Sequence, residues 1–300
     1  MAKKKVNNVS SLFRYPGGKS KLRGEITTIL NSMINGEDVQ YREPFFGGGS
    51  IGLKMLSEHK VKKIWVNDKD MGIACLWTSV IRHPEELKDL VRGFIPSVQE
   101  FYDIKEALTC GWEKCCPETI KDVVDVGFKK LAIHQISYSG LGTKSGGPLG
   151  GEAQESNYKI DCRWSPDYLC EKIDKLHEMF SGVEISLDRC TSMDFAPVVI
   201  RNSYTAVIYL DPPYYVKGSD LYQHGFSECD HVRLSKLLEA TPHKWLLSYD
   251  DCPEIRGLYR WANIKSVDVN YSITALKNED GTRKSTTKPE LLISNVPFSA

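Results

Sequence analysis

The sequence predicts an α/β fold of the doubly wound kind, a mostly parallel sheet with helices on both faces, carrying an inserted second domain. Three observations predict it. Short apolar, β-branched runs that end in turn or polar residues recur along the chain, amphipathic helical stretches lie between most of them, and the alternation breaks between residues 82 and 182. The candidate strands are residues 39–45, 61–67, 183–187, 206–210, 244–249, 264–269 and 290–294. The candidate helices between them are 19–33, 50–58, 71–81, 230–239 and 253–259. Within 82–182 two helical patterns, 118–133 and 166–180, flank a Gly/Ser-rich, strand-poor stretch, 137–156. The domain reading is therefore a sheet built from 1–81 and 183–300, interrupted by a second domain at 82–182.

Composition narrows the classes. With 300 residues, 41% of them hydrophobic, 14 Pro and 23 Gly, the chain is neither disordered nor collagen-like, and it can bury a large core. No apolar run approaches the roughly 18 residues that span a bilayer, and the basic start Lys3-Lys4-Lys5 leads into polar residues without a signal-peptide core. The expectation is a protein without a membrane that stays where it is made. Nine cysteines, scattered and without a C-x-x-C pair, point to reduced thiols and away from a zinc site. The 39 basic and 39 acidic residues cancel, which taken alone argues against a nucleic-acid partner. The distribution is uneven, however: residues 1–30 hold seven basic side chains against the single acid Glu25. Phosphate contacts need basic groups on one face only, so a neutral total is compatible with DNA.

Four motifs carry the chemistry. Pro44-Phe45-Phe46-Gly47-Gly48-Gly49-Ser50 stands where a strand ends and a helix begins, and its glycines allow a tight turn and a close backbone approach to a ligand. It is neither G-x-G-x-x-G nor a Walker loop. The next strand ends in Asn67-Asp68, where an acid can accept both ribose hydroxyls of a nucleoside; the alternative is a helix N-cap supplied by Asp68 or Asp70. Tyr209-Leu210-Asp211-Pro212-Pro213-Tyr214-Tyr215 is the most specific signal. Two prolines stop the sheet and force an extended loop that can offer a carboxylate and a proline carbonyl to one amino group while an aromatic ring covers the attached base. Phe13-Arg14-Tyr15-Pro16-Gly17-Gly18-Lys19-Ser20 can bind a carboxylate and pack a cation on an aromatic, or can be a simple turn and cap.

In this order the motifs Tyr15-Pro16-Gly17-Gly18-Lys19, Glu43 to Ser50, Asn67-Asp68 and Asp211 to Tyr214 resemble those of the Dam-like (D12 class) N6-adenine DNA methyltransferases. Weaker elements extend the resemblance: Asp194-Phe195, Phe226 with His231 and Leu234, Leu247-Ser248-Tyr249-Asp250, and Tyr271-Ser272-Ile273 with Glu290-Leu291-Leu292. The resemblance implies a Rossmann-like, seven-stranded methyltransferase sheet binding S-adenosyl-L-methionine, with the insertion as a mainly helical DNA-recognition domain. Tyr15 and Lys19, with Gly17 and Gly18, would meet the methionine end of the cofactor, and Asp68 the ribose. Pro44, Phe45, Phe46, Gly47, Gly49 and Ser50 would form its turn, and Asp194 and Phe195 would meet its adenine. Asp211 and the Pro212 carbonyl would hold the target N6, Pro213 would rigidify the loop, and Tyr214 would stack on the flipped base; Tyr215 and His231 carry no assigned role, a core or capped histidine being the plainer reading of the latter.

The same resemblance sets Tyr138, Ser139 and Lys144 at the DNA. Family members that read GATC carry Tyr-Asn-Gly-Leu followed by Arg and Asn where this chain has Tyr138-Ser139-Gly140-Leu141-Gly142-Thr143-Lys144. The missing Arg argues against GATC, because a bidentate Arg contact to guanine carries much of such readout. Tyr138 either wedges into DNA or packs in the core. The implied partners are double-stranded DNA and a companion restriction endonuclease, with no metal, a monomeric or weakly dimeric state, and the cytoplasm of a bacterial or phage-infected cell. An RNA-adenine or cytosine-N4 enzyme, and a DNA-binding regulator without turnover, are the competing readings.

Overall fold

The computed structural model describes residues 10–298 apart from 16, 20, 37, 59, 60, 110–116, 187–193, 217–224 and 278–282, with the side chains of 270–287 left aside. Lys3 to Lys5, Pro16, Ser20, Leu187 and four cysteines (Cys110, Cys115, Cys116 and Cys190) therefore lie outside the described residues. Seven strands form one sheet: β1 Gln40–Glu43, β2 Lys63–Val66, β3 Glu184–Ser186, β4 Ala206–Leu210, β5 Lys244–Asp250, β6 Asn263–Lys277 and β7 Arg283–Ser294, in the order β3-β2-β1-β4-β5-β7-β6. The first five are parallel, and β7 runs antiparallel between β5 and β6. The strand order reverses between β1 and β4, so the crevice beyond their carboxyl ends is where such a sheet collects ligands.

β4 coincides with its apolar run and is buried along its whole length. The outer pair, β6 and β7, is longer than the apolar runs 264–269 and 290–294. Each strand is the other's partner through a ladder from Asn263↔Ser294 to Ser272↔Ser285, so pairing continues where no apolar face is needed.

The helices on the sheet are α1 Arg23–Met33, α2 Ser50–Ser57, α3 Met71–Arg82, α8 Phe195–Ile200, α9 Glu228–Ala240 and α10 Pro253–Leu258. α1 begins four residues later than the pattern 19–33 suggests, and ahead of it Leu22 N–H donates to the Lys19 carbonyl at 3.1 Å. Arg42 of β1 is fully buried and donates to the carbonyls of Val198 (2.9 Å) and Arg201 (2.7 Å), which satisfies the end of α8 and locks it to the sheet.

Among the described residues of 82–182 there are four α-helices rather than two: α4 Pro84–Gly93, α5 Val98–Thr109, α6 Ile120–Ile136 and α7 Pro166–Phe180. α4 has Pro84 at its start, Glu85 and Glu86 in its first turn and a buried stripe of Leu87 and Val91, which is a complete start signal for a short helix. α5 buries Phe101, Ile104 and Leu108 at helical spacing. The apolar faces of this segment share one core with the sheet helices, Leu76 and Val80 of α3 lying in the same cluster as Val124, Leu131 and Ile133 of α6. Among the described residues no helix is long and apolar enough to cross a membrane.

α3 and α6 cross at backbone contact. A Cβ on Gly127 would lie 2.8 Å from the backbone of Leu76, with no flexible side chain to give way. Gly127→Val is therefore expected to cost about 1–3 kcal/mol by overpacking, read as a lowered thermal midpoint, while the exposed Gly93→Ala, in open space, leaves it unchanged or raised.

Candidate active site

The loops that follow β1, β2 and β4 line a single cleft of about 910 Å3. Tyr15, Gly17, Gly18, Pro44, Phe45, Phe46, Gly47, Gly49, Ser50, Asp68, Asp194, Phe195, Asp211, Pro213 and Ser139 all border it, so most of the residues singled out in sequence converge on one wall-to-wall space.

The turn after β1 is held from several sides. Phe46 N–H donates to the Asn67 carbonyl (2.9 Å), Asn67 Nδ2 to the Pro44 carbonyl (3.0 Å), and Gly47 N–H to Asp68 Oδ2 (2.7 Å), while Trp77 Nε1 donates to the Gly47 carbonyl (2.8 Å). Gly47 and Gly49 have φ of 47° and 69°, the left-handed region that favours glycine. A Cβ on Gly47 would stand 2.6 Å from the Tyr15 ring, so the aromatic of the first motif closes directly over the glycine of the second.

Of the two acids after β2, Asp70 takes the cap: its side chain accepts from Ile73 N–H of α3 and pairs with buried Lys130. Asp68 turns to the cleft instead, half-buried, accepting from Gly47 N–H and, through Oδ1, from Asp70 N–H (2.9 Å). Burial, and next the Asp70 carboxylate, push the Asp68 carboxyl up to about 7. Glu43, at the end of β1, accepts from Tyr41 Oη (2.8 Å) and is pushed well above the usual carboxylate range by burial.

Asp211 sits at the end of β4, accepting from Lys19 Nζ at 2.7–2.8 Å on both carboxylate oxygens and from Ser248 Oγ on Oδ1 (3.0 Å). Lys19, expected at the methionine end of a cofactor, thus binds the Asp-Pro-Pro-Tyr loop, and it lies 4.7 Å from the centre of the Tyr214 ring. Pro212 and Pro213 are buried, and Tyr214 is half-buried with its hydroxyl donating to Glu290 Oε2 of β7 (2.7 Å). Tyr215 N–H and Val216 N–H both donate to Asp250 (3.0 and 2.9 Å). His231 is buried and bonded through Nδ1 to Tyr249 Oη (2.6 Å), with Tyr215 packed 5.0 Å away; burial lowers its pKa.

On the other wall Phe45, Phe195 and Phe226 form a triangle of rings 5.4–5.7 Å apart. Asp194 accepts from Ala196 N–H as the cap of α8 and pairs with Arg233 at 2.8 Å. Glu43, Ser248, Asp250 and Glu290 were not singled out from sequence as site residues. Each reaches the site from a strand, and all four lie in motifs on which the resemblance rests, Glu43 at the head of the glycine turn.

The segment after α6 approaches the cleft from above. Tyr138 is 64% exposed and Lys144 is exposed, so Tyr138 is not a core aromatic. Ser139 has φ of 58°, a conformation Asn adopts more readily, and Gly140 and Gly142 follow in the same left-handed region. His134 of α6 holds this turn through Nδ1 to the Gly140 carbonyl (2.8 Å) and is neutral, burial pushing its pKa down to about 4. The loop beyond is crosslinked internally: Ser145 Oγ donates to the Gly147 carbonyl (2.7 Å), and Gln154 bonds the Leu149 carbonyl (2.8 Å) and Ile160 N–H (2.8 Å).

A sheet whose order reverses between β1 and β4, with a glycine turn after one and Asp-Pro-Pro-Tyr after the other, is the scaffold of an amino-group methyltransferase. The model of the D12 class N6 adenine-specific DNA methyltransferases matches residues 15–135 and 172–273, and the chain belongs to that family. It is 24% identical to the type II methyltransferase M.MjaIII of Methanocaldococcus jannaschii, over 96% of this chain and 99% of the relative. Solved structures with an overall likeness include the rRNA methyltransferase aviRa of Streptomyces viridochromogenes (TM-score 0.37, 12% identity, 98% of this chain and 94% of that one). Another is a precorrin 8W decarboxylase of Methanobacterium thermoautotrophicum (TM-score 0.36, 8% identity, 94% and 96%). Family and relative together make this protein an adenine-specific DNA methyltransferase.

The raised Asp68 gives a signed pH test. Its pKa in the folded protein lies above the unfolded value of about 4, so its protonated form stabilises the fold at low pH, and that contribution is lost as pH rises through about 7. The stability difference between wild type and Asp68→Asn is expected to move in the variant's favour between pH 5 and pH 8, measured by denaturant unfolding; a difference independent of pH would contradict the assignment.

Proposed function

We propose that the protein transfers the methyl group of S-adenosyl-L-methionine to N6 of an adenine flipped out of duplex DNA at a specific sequence. The observation that carries this reading is the position of Asp211: its carboxylate borders the same cleft as the Gly47 turn and Asp68. The cleft suits a nucleoside-bearing donor, with glycines where a Cβ would collide, an acid placed for ribose hydroxyls, and a triangle of phenylalanines for a base. In that reading Tyr15, Gly17, Gly18 and Pro44 to Ser50 hold the donor's methionine part, Asp68 its ribose, and Asp194 and Phe195 its adenine. When bound, the donor supplies a methyl group on a positively charged sulfur, which needs no metal to leave.

The chain's own residues have to bring a poor nucleophile into line. The N6 lone pair is delocalised into the purine, and two acceptors on its hydrogens, Asp211 and the Pro212 carbonyl, favour the pyramidal geometry from which it attacks. A carboxylate offers about four acceptor sites, so Lys19 and Ser248 leave room for the amine. Pro213 keeps the loop extended and Tyr214 stacks on the base, offsetting the few kcal/mol that unpairing costs. Positioning and exclusion of water supply most of the acceleration. The exposed Tyr138, with Ser139 and Lys144, faces the DNA in the recognition segment 82–182. A DNA substrate calls for an enzyme in the cytoplasm of a bacterial or phage-infected cell, and the relative's type II designation supports a companion restriction endonuclease.

Asp211→Ala is expected to lower methyl transfer by at least about a thousandfold, the scale at which removal of a key transition-state group is felt, while the thermal midpoint shows a folded protein. Incubation with methyl-labelled donor and duplex DNA, followed by digestion to nucleosides, reads both rate and product. N6-methyladenine is the expected product; N4-methylcytosine, or label in RNA only, would overturn the acceptor assignment.

A further inference from the structure

The Asp-Pro-Pro-Tyr loop has a physical weakness that its own sequence creates. Pro212 and Pro213 have no N–H, so for two residues after β4 the backbone cannot be tied to any acceptor. Beyond the prolines, what fixes the loop comes from β5 and β7. Asp250 of β5 accepts both Tyr215 N–H and Val216 N–H, one on each carboxylate oxygen. Glu290 of β7, its direct cross-strand partner, accepts the Tyr214 hydroxyl at 2.7 Å and is 3% exposed. Two neighbouring carboxylates thus hold the backbone and the ring of one short segment.

We infer that Glu290 is a positioning residue for capture of the target base, fixing where the Tyr214 ring stands through its hydroxyl. The inference rests on the proposed base-flipping reading of the site and assigns the orientation of the stacking ring to a strand about 76 residues further along the chain. A tyrosine ring turns about two bonds: the Lys19 ammonium over its face (4.7 Å) and the tilted Tyr249 ring (6.2 Å between rings) bear on the second, while the swing about the first carries the hydroxyl with it. The hydroxyl is the far end of that swing, so one hydrogen bond there defines where the ring stands beside a base. Glu290 is not among the residues that line the cleft, and its reach to the base is through Tyr214.

The test is a double-mutant cycle on single-turnover methylation of duplex DNA, with donor affinity measured separately. Tyr214→Phe and Glu290→Met are each expected to slow the methylation step about tenfold, the cost of one hydrogen bond to a charged group, with donor affinity unchanged. The double variant is also expected to fall about tenfold, because the two residues share one interaction. Glu290→Gln, whose amide oxygen still accepts the phenol, is expected to stay within about threefold of wild type. A double variant about a hundredfold slower, or Glu290→Met at the wild-type rate, would overturn the inference. A second measurement needs no turnover: the ring-carbon NMR resonance of Tyr214, assigned by its loss in Tyr214→Phe, is expected to shift in Glu290→Met and to remain in Glu290→Gln. An unshifted resonance in Glu290→Met would refute the tether whatever the activity. A wild-type protein that leaves duplex DNA unmethylated while the resonance shifts would instead refute the base-flipping reading and leave the tether standing.

Discussion

The site depends on one non-local pairing, the parallel ladder between β1 and β4, in which Tyr41 lies beside Val207. Without it the glycine turn and the Asp-Pro-Pro-Tyr loop would have no common edge. The pairing is sustained by strands that are buried from end to end and by helices on both faces, including the Arg42 bond to α8. Because β2 pairs on the other side of β1, the acid after β2 and the loop after β4 flank the same turn. A separation in sequence of more than 150 residues thus becomes hydrogen-bonding distance, as the Lys19 to Asp211 contact shows most directly.

Electrostatics at that edge are asymmetric. Buried Lys19 faces Asp211 and Glu290 while buried Lys130 acts on Asp68, and burial raises Glu43, Asp68 and Glu290 above the usual carboxylate range. Lys19 compensates Asp211, the acid whose ionised form the proposed chemistry needs, while Tyr41 and Tyr214 donate hydroxyls to Glu43 and Glu290. The overall neutrality of the chain says little about this, since the field at the site is set by a handful of groups within hydrogen-bond reach.

Much of this was legible in the amino-acid sequence, and what was hidden has a physical cause. The inner strands announce themselves as apolar runs because both of their faces are covered, and β4 matches its run residue for residue. The glycine turn and the Asp-Pro-Pro-Tyr loop were readable because glycine and proline impose backbone geometry by themselves. α4 and α5 were missed although Pro84, Glu85 and Glu86 mark a helix start and the apolar residues of both recur at helical spacing. The lengths of β6 and β7 were hidden because a hairpin supplies its own partner. Whether Asp68 or Asp70 caps α3 is a matter of one residue and was decided only by three-dimensional hydrogen bonding. The anchoring by Glu290 and Asp250 has no local trace, since each acts on a loop that lies far away in sequence.

The loop after α6 also bears on how enzymes of this kind diversify. Its turn is held by backbone carbonyls and by His134, and its outer part by the side chains of Ser145 and Gln154, so its shape rests on few positions. Tyr138 and Lys144, by contrast, project outward and support nothing beneath them. In the proposed reading, in which they face the DNA, residues of that sort can drift under selection for new target sequences while the framework under them stays constant. A host acquiring a different modification specificity would then need changes only in an outer rim, and the cleft could be inherited untouched.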